Sequence, residues 1–217
     1  IAIAFSLASQ AAVSIENSLN LETIEKKKAS FQRFVPTDFL SILDRKEIEH
    51  VVIGDNSFEN MSVLFSDIRS FTTMSESMTS KENFVFLNDY LKTIGPTIQR
   101  HGGFIDKFIG DAIMALFKGK IVSSANDSAD AAIEMQLKVR EFNFFRRRNH
   151  QEQIAIGVGL HSGALSLGTI GFEKRMETTV IGDTVNLASR MEGLTKQYGI
   201  NIAVTAEIID QLEDKEK

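Results

Sequence analysis

Apolar positions change rhythm along the chain, and the changes mark its elements. Residues 1–30 contain neither glycine nor proline, and Ile3, Leu7, Ala11 and Ile15 recur at a spacing of four. Leu19, Leu21 and Ile24 continue that stripe up to Glu25-Lys-Lys-Lys28, which predicts one long helix for packing or dimerisation. Pro36 marks a break, and Thr37-Asp38 suits the cap of a short helix over 39–43. From Met61 the pattern becomes mixed. The run 61–66 reads as a strand, and 81–101 has helical spacing in Phe84, Leu87, Leu91, Ile94 and Ile98, with Pro96 as a kink.

Gly110-Asp111 separates two short apolar runs, 104–109 and 112–117, a strong hairpin signal. A second helix is expected over 128–149, and a strand pair over 154–161 and 164–170 around Ser162-Gly163. A third helix over 185–198 ends at Gly199, before a strand at 201–204. The order implies an α+β fold with a ferredoxin-like βαββαβ core, extra strands and helix, and an N-terminal helix. It divides into helix 1–30, a lead-in over 31–60 and a domain over 61–217.

Composition narrows the function classes. With 217 residues, 43% hydrophobic and 24% charged, the chain can bury a sizeable core. A net charge of −5 argues against a nucleic-acid footprint but not against a nucleotide, because bound cations supply positive field locally. The absence of cysteine excludes disulfides and thiolate metal sites and suits a cytoplasmic setting. The apolar opening up to Val13 is too short to span a bilayer, and a chain lacking an initiator methionine reads as a piece of a longer protein, whose upstream part could carry a membrane anchor.

Two aspartates draw attention. Asp67 ends the 61–66 run and Asp111 sits in the hairpin turn. Each alone is an ordinary turn or cap residue. Antiparallel pairing of the first strand with the hairpin would bring both to one edge, where two carboxylates can share a pair of divalent cations about 3.5–4 Å apart. The backbone amides of Ile68, Arg69, Ser70, Phe71 and Thr72, opening a helical turn, would then cradle a phosphate. Asn186 and Arg190, at i and i+4, share one helix face. They suit an oxygen-rich, charged transition state; the plainer reading is a solvated face with Arg190 paired to Glu192 or Glu134.

Three blocks of this chain closely resemble the signature blocks of class III adenylyl/guanylyl cyclases. They are Phe65-Ser-Asp-Ile-Arg-Ser-Phe-Thr72, Asp106-Lys-Phe-Ile-Gly-Asp-Ala-Ile-Met-Ala115 and Val180-Ile-Gly-Asp-Thr-Val-Asn-Leu-Ala-Ser-Arg-Met-Glu192. They stand in the family's order and spacing, and Phe31-Gln-Arg-Phe-Val-Pro36 is similar to the lead-in of cyanobacterial-type members. Residues 1–30 resemble the last helix of a GAF domain, which implies an upstream sensory domain. The resemblance makes Asp67 and Asp111 ligands of two divalent cations, Mg²⁺ or Mn²⁺, assigns the phosphoryl charge to Arg190 and gives the ribose to Asn186. It also implies a head-to-tail homodimer with shared sites, because the aspartates and the Asn/Arg pair of one site come from different subunits.

The family's base-selecting positions map to Lys107 and Thr179. Lysine only donates, which suits adenine N1, and Thr179 can accept from the 6-amino group; guanine would set a donor against the lysine. The expected substrate is therefore ATP, with a guanylyl or mixed-specificity cyclase, or a silent nucleotide-binding dimerisation module, as alternatives. The family usually continues into a further strand pair bearing a basic triphosphate contact. This chain stops at Lys217, and the domain is expected to be C-terminally truncated. No Gly-Gly-Asp/Glu-Glu-Phe signature points to a diguanylate cyclase. Gly157-Val-Gly159 is no dinucleotide fingerprint, lying within a strand. His161 reads as structural, and Arg146-Arg-Arg148 as a solvated helix cap.

Overall fold

Alternating side chains on β1 (Asn56–Ile68) supply both cores of the molecule. The computed structural model describes residues 2–31, 37–45 and 48–213. Leu64 and Ile68 face a cluster with Tyr90, Ile94 and Ile98 of α4 (Ser80–Arg100) and Ala132, Met135 and Val139 of α5 (Ile121–Arg148). Met61 and Val63 face the opposite cluster, with Phe39 and Ile42 of α2 (Thr37–Ile42) and Ala188 of α6 (Asp183–Tyr198). The lead-in is thus part of the core: Phe39 is fully buried and meets Phe104 edge-on at 5.5 Å. The break expected at Pro36 lies outside the described residues.

β1 pairs antiparallel with β3 (Ala112–Phe117) and with β4 (Ile156–Phe172), and β2 (Gly103–Ile109) flanks β3. The path β2-β3-β1-β4, with α4 and α5 as crossovers, is the expected βαββαβ core. β5 (Arg175–Ile181) pairs with the outer half of β4, and β6 (Ile202–Val204) runs parallel to its inner half. α3 (Phe71–Glu76) follows β1, and α7 (Ala206–Gln211) follows β6.

Local chemistry explains the boundaries. Thr79 and Glu82 form a reciprocal capping box that starts α4, and Pro96 is accommodated inside that helix. Gly199 ends α6 at φ 65°, a left-handed position that favours glycine. α5 begins earlier than residue 128 because the chain turns at Gly119, beside Lys120 as N-cap. β4, by contrast, is a single strand: Ser162 pairs with Ser62 and Gly163 with Met61, so no turn forms between them. Gly163 answers instead to packing, since a Cβ there would stand 2.7 Å from Thr184 Oγ1.

The same reason explains Gly157 and Gly159. A side chain at Gly159 would strike the backbone of Glu192 and Ala188, and one at Gly157 would strike Arg69 and Thr195. These glycines seat α6 directly on the sheet. α1 (Ala2–Phe31) is one continuous helix on which Val13, Ile15, Leu19, Leu21 and Ile24 are exposed. Among the described residues, no helix is long and apolar enough to cross a membrane.

Candidate active site

Register brings the two aspartates together. Ser66 of β1 pairs with Ile113 of β3, which sets Asp67 beside the Gly110-Asp111 turn. The Ile68 amide donates to Asp111 Oδ2 at 3.1 Å. Burial first, then the adjoining Asp67 carboxyl, pushes Asp111 up to about 7. The two carboxylates thus stand side by side, with Asp111 resisting ionisation next to Asp67. Among the described residues no cluster of three or more His, Cys, Asp or Glu makes a closed metal cage. A carboxylate pair leaves coordination positions for water and phosphate oxygens, the way Mg²⁺ is usually held.

The segment after β1 is partly committed elsewhere. Ile68 N–H is taken by Asp111, and Arg69 N–H donates to the Ala155 carbonyl at 2.8 Å. The amide cradle expected over Ile68 to Thr72 therefore narrows to Ser70, Phe71 and Thr72. Ser70 adopts a left-handed φ of 56° as N-cap of α3, and the first amides of a helix have no intrahelical acceptor. The Arg69 guanidinium also points away from a phosphate role. It pairs with Glu192 at 3.3 Å and reaches Thr195 and the Ile200 carbonyl, tying the end of β1 to α6. A bare Gly157 leaves room for that tie.

Asn186 and Arg190 are both exposed on α6. Neither acid suggested as a partner for Arg190 is available. Glu192 is engaged by Arg69, and Glu134 by Arg100 and by His101 at 2.8 Å. His161 is buried, with Nδ1 2.8 Å from Thr205 Oγ1, a structural position.

Lys107 and Thr179 meet. Lys107 Nζ donates to Thr179 Oγ1 at 3.0 Å, although 72 residues separate them. The outer half of β4 and β5 folds back because Leu165, Leu167 and Val180 bury themselves against Phe104, Met114 and Leu116. Two carboxylates that the sequence reading missed complete the setting. Glu177 Oε1 lies 3.3 Å from Lys107 Nζ, and Asp106 Oδ2 lies 3.5 Å from it. The Asp106 side chain is 1% exposed, and neither of its oxygens has a hydrogen-bond partner. Burial pushes it up to about 6, against the opposing charge of Lys107. Strict alternation would set Asp106 and Lys107 on opposite faces, but a bulge between Ile105 and Lys107 breaks it.

Residues 53–217 match the family described as the adenylate and guanylate cyclase catalytic domain. The chain belongs to that family. A relative named adenylate cyclase from Anabaena cylindrica is 45% identical over 198 residues, which cover 89% of this chain and 39% of the relative. The terminal-differentiation-specific adenylate cyclase of Dictyostelium discoideum is 38% identical over 191 residues, covering 87% of this chain and 9% of its own. The chain therefore spans well under half the length of these curated relatives. Among solved structures, the guanylyl cyclase Cya2 is 31% identical with a TM-score of 0.66, over 73% of this chain and 81% of its own. The adenylyl cyclase CyaB from P. aeruginosa is 28% identical with a TM-score of 0.66, over 72% and 81%. The α+β fold of this chain matches that of these cyclase structures.

Proposed function

We propose that this cyclase domain converts ATP to 3′,5′-cyclic AMP and pyrophosphate at sites shared between two copies of the chain. The observation that carries the choice of ATP is the Lys107–Thr179 contact at 3.0 Å. The ammonium would donate to adenine N1, and the threonine oxygen would accept from the 6-amino group. Asp67 and Asp111 would hold two divalent cations, which supply a lowered pKa for the ribose 3′-hydroxyl and charge neutralisation on the triphosphate. The 3′-hydroxyl would pass its proton to water, its oxygen would bond to the α-phosphorus in line, and the bond from that phosphorus to the bridging oxygen would break, that oxygen leaving with pyrophosphate. Asn186 would orient the ribose and Arg190 would stabilise charge on the phosphoryl oxygens. The amides of Ser70, Phe71 and Thr72 would hold the phosphates.

The homodimer reading has its own support. Asn186 and Arg190 stand exposed, and Glu192 and Glu134 are engaged by other cations, which leaves the pair to serve a site on a second copy. α1 offers a row of exposed apolar side chains for the same partner and for signals from an upstream domain. A second reading has one specific support. Glu177, half-exposed beside Lys107, is a carboxylate that could accept from guanine N1–H, which favours measurable turnover of GTP. The experiment is to assay cyclic AMP and cyclic GMP from each nucleotide with Mg²⁺ and with Mn²⁺. Preferential cyclic AMP supports the ATP assignment; preferential cyclic GMP overturns the roles given to Lys107 and Thr179.

A further inference from the structure

Arg146 does not behave as the solvated cap its sequence context suggests. It is 6% exposed, with its guanidinium 4.8 Å from the Phe86 ring centroid and 5.7 Å from that of Phe142. Its Nε donates to the Glu152 carbonyl. Burial lowers its pKa, and the charge of Glu152 offsets this only in part. A guanidinium remains protonated nonetheless. Among the described residues, no carboxylate forms an ion pair with it. A buried cation without a carboxylate in ion-pair contact is costly.

That cation lines a cavity of about 740 Å³ between the α3–α4 corner and the end of α5. The volume falls within the range of small-molecule sites. Its walls include Met74, Met78, Val85, Phe86 and Phe142, with Lys81 also on its lining. Three acids line it: Glu82 is engaged in the Thr79 capping box, Asp89 pairs with Lys92 at 3.6 Å, and Glu152 acts on Arg146 through its charge without forming an ion pair. The cavity thus combines apolar walls with an arginine that has no carboxylate in ion-pair contact.

We propose that this cavity is an effector site for a small amphipathic carboxylate, its head on Arg146 and its chain along Met74, Met78 and Phe86. Met74 belongs to α3, and Phe71, the first residue of α3, stacks on Phe86 at 6.0 Å. A bound acid would fix the helix whose opening amides are assigned to the phosphates. Only this consequence for turnover rests on the proposed cradle; binding does not.

The test is calorimetric titration of octanoate, with octanol and acetate as controls, into wild type, Val85→Glu and Arg146→Gln. Val85 is 54% exposed, so a glutamate there adds negative charge at the cavity without emptying the core. Saturable one-to-one binding of octanoate, weakened at least about tenfold in both variants and without either tail or carboxylate, supports the site. If Arg146→Gln loses its helical circular dichroism, Val85→Glu decides. Absence of saturable binding below the micelle concentration, equal affinity in Val85→Glu, or octanol binding as well as octanoate would overturn it. Because the readout is heat rather than product, a failure here is distinct from a failure of the cyclase assignment.

Discussion

Lys107 Nζ lies 3.0 Å from Thr179 Oγ1, although β2 and β5 are the two ends of the strand path β2-β3-β1-β4-β5. The contact exists because the β4–β5 arm buries Leu165, Leu167 and Val180 against the β2–β3 hairpin. It places a donor beside an acceptor, the complement of the adenine edge. Lys107→Glu should lower kcat/KM for ATP by about 10²-fold or more while sparing or raising that for GTP, since mismatched buried polar groups carry such discrimination. Competitive turnover of the two nucleotides checks this.

Asp106 offers a pH-dependent prediction. Its carboxyl titrates near 6 in the folded protein, against an ordinary value of 3.8. Between those values the folded state holds a proton that the unfolded chain has released. Stability due to this group therefore falls as pH rises through that window, by roughly 1–3 kcal/mol. Asp106→Asn should accordingly melt higher than wild type at pH 7.5 and about the same at pH 3.5. The same change removes a counter-ion from Lys107 and should raise KM for ATP more than it lowers kcat. Thermal melts at both pH values, with steady-state kinetics, measure both halves.

The proposed cation site at Asp67 and Asp111 has a thermodynamic signature. Mn²⁺ or Mg²⁺ should raise the melting temperature of wild type, by about 2.7 kcal/mol of stabilisation at a hundredfold excess over Kd. Asp67→Ala should blunt that response and abolish product formation, and chelation of wild type should do the same reversibly. Melts with and without EDTA distinguish loss of cation binding from loss of fold.

Gly159 and Gly193 make a matched pair. A Cβ at Gly159 meets backbone atoms of α6, which cannot swing aside, whereas one at Gly193 meets nothing within 4 Å. Gly159→Ala should destabilise by about 1–3 kcal/mol, as overpacking does. Gly193→Ala should stabilise by about 0.5–1 kcal/mol through helix propensity. Urea midpoints of the two variants test the claim that α6 is seated on bare strand.

Much of this was legible in the sequence where the determinants are local. Gly110-Asp111 between apolar runs marked the β2–β3 hairpin, with β2 starting one residue earlier than expected, and Gly199 marked the end of α6. The three signature blocks contain the candidate residues other than Thr179, which immediately precedes the third. Glycine misled where it serves packing rather than bending: Ser162-Gly163 reads as a turn, yet β4 runs straight through it under Thr184. Long-range closure was invisible too. Nothing near residue 107 announces Glu177, and alternation conceals Asp106, because a bulge depends on the partner strand. Arg69 stands in a signature block, but its partners on α6 lie more than a hundred residues away.

The most direct measurement mixes two inactive variants, Asp67→Ala and Arg190→Ala. If each site takes its aspartates from one copy and Asn186 with Arg190 from the other, a mixed dimer holds one site with both lesions and one with none. Random exchange should then restore about a quarter of wild-type cyclic AMP formation, the share expected for one intact site in half of the dimers. No recovery, with both variants shown to exchange subunits and to bind nucleotide, would contradict the shared-site account.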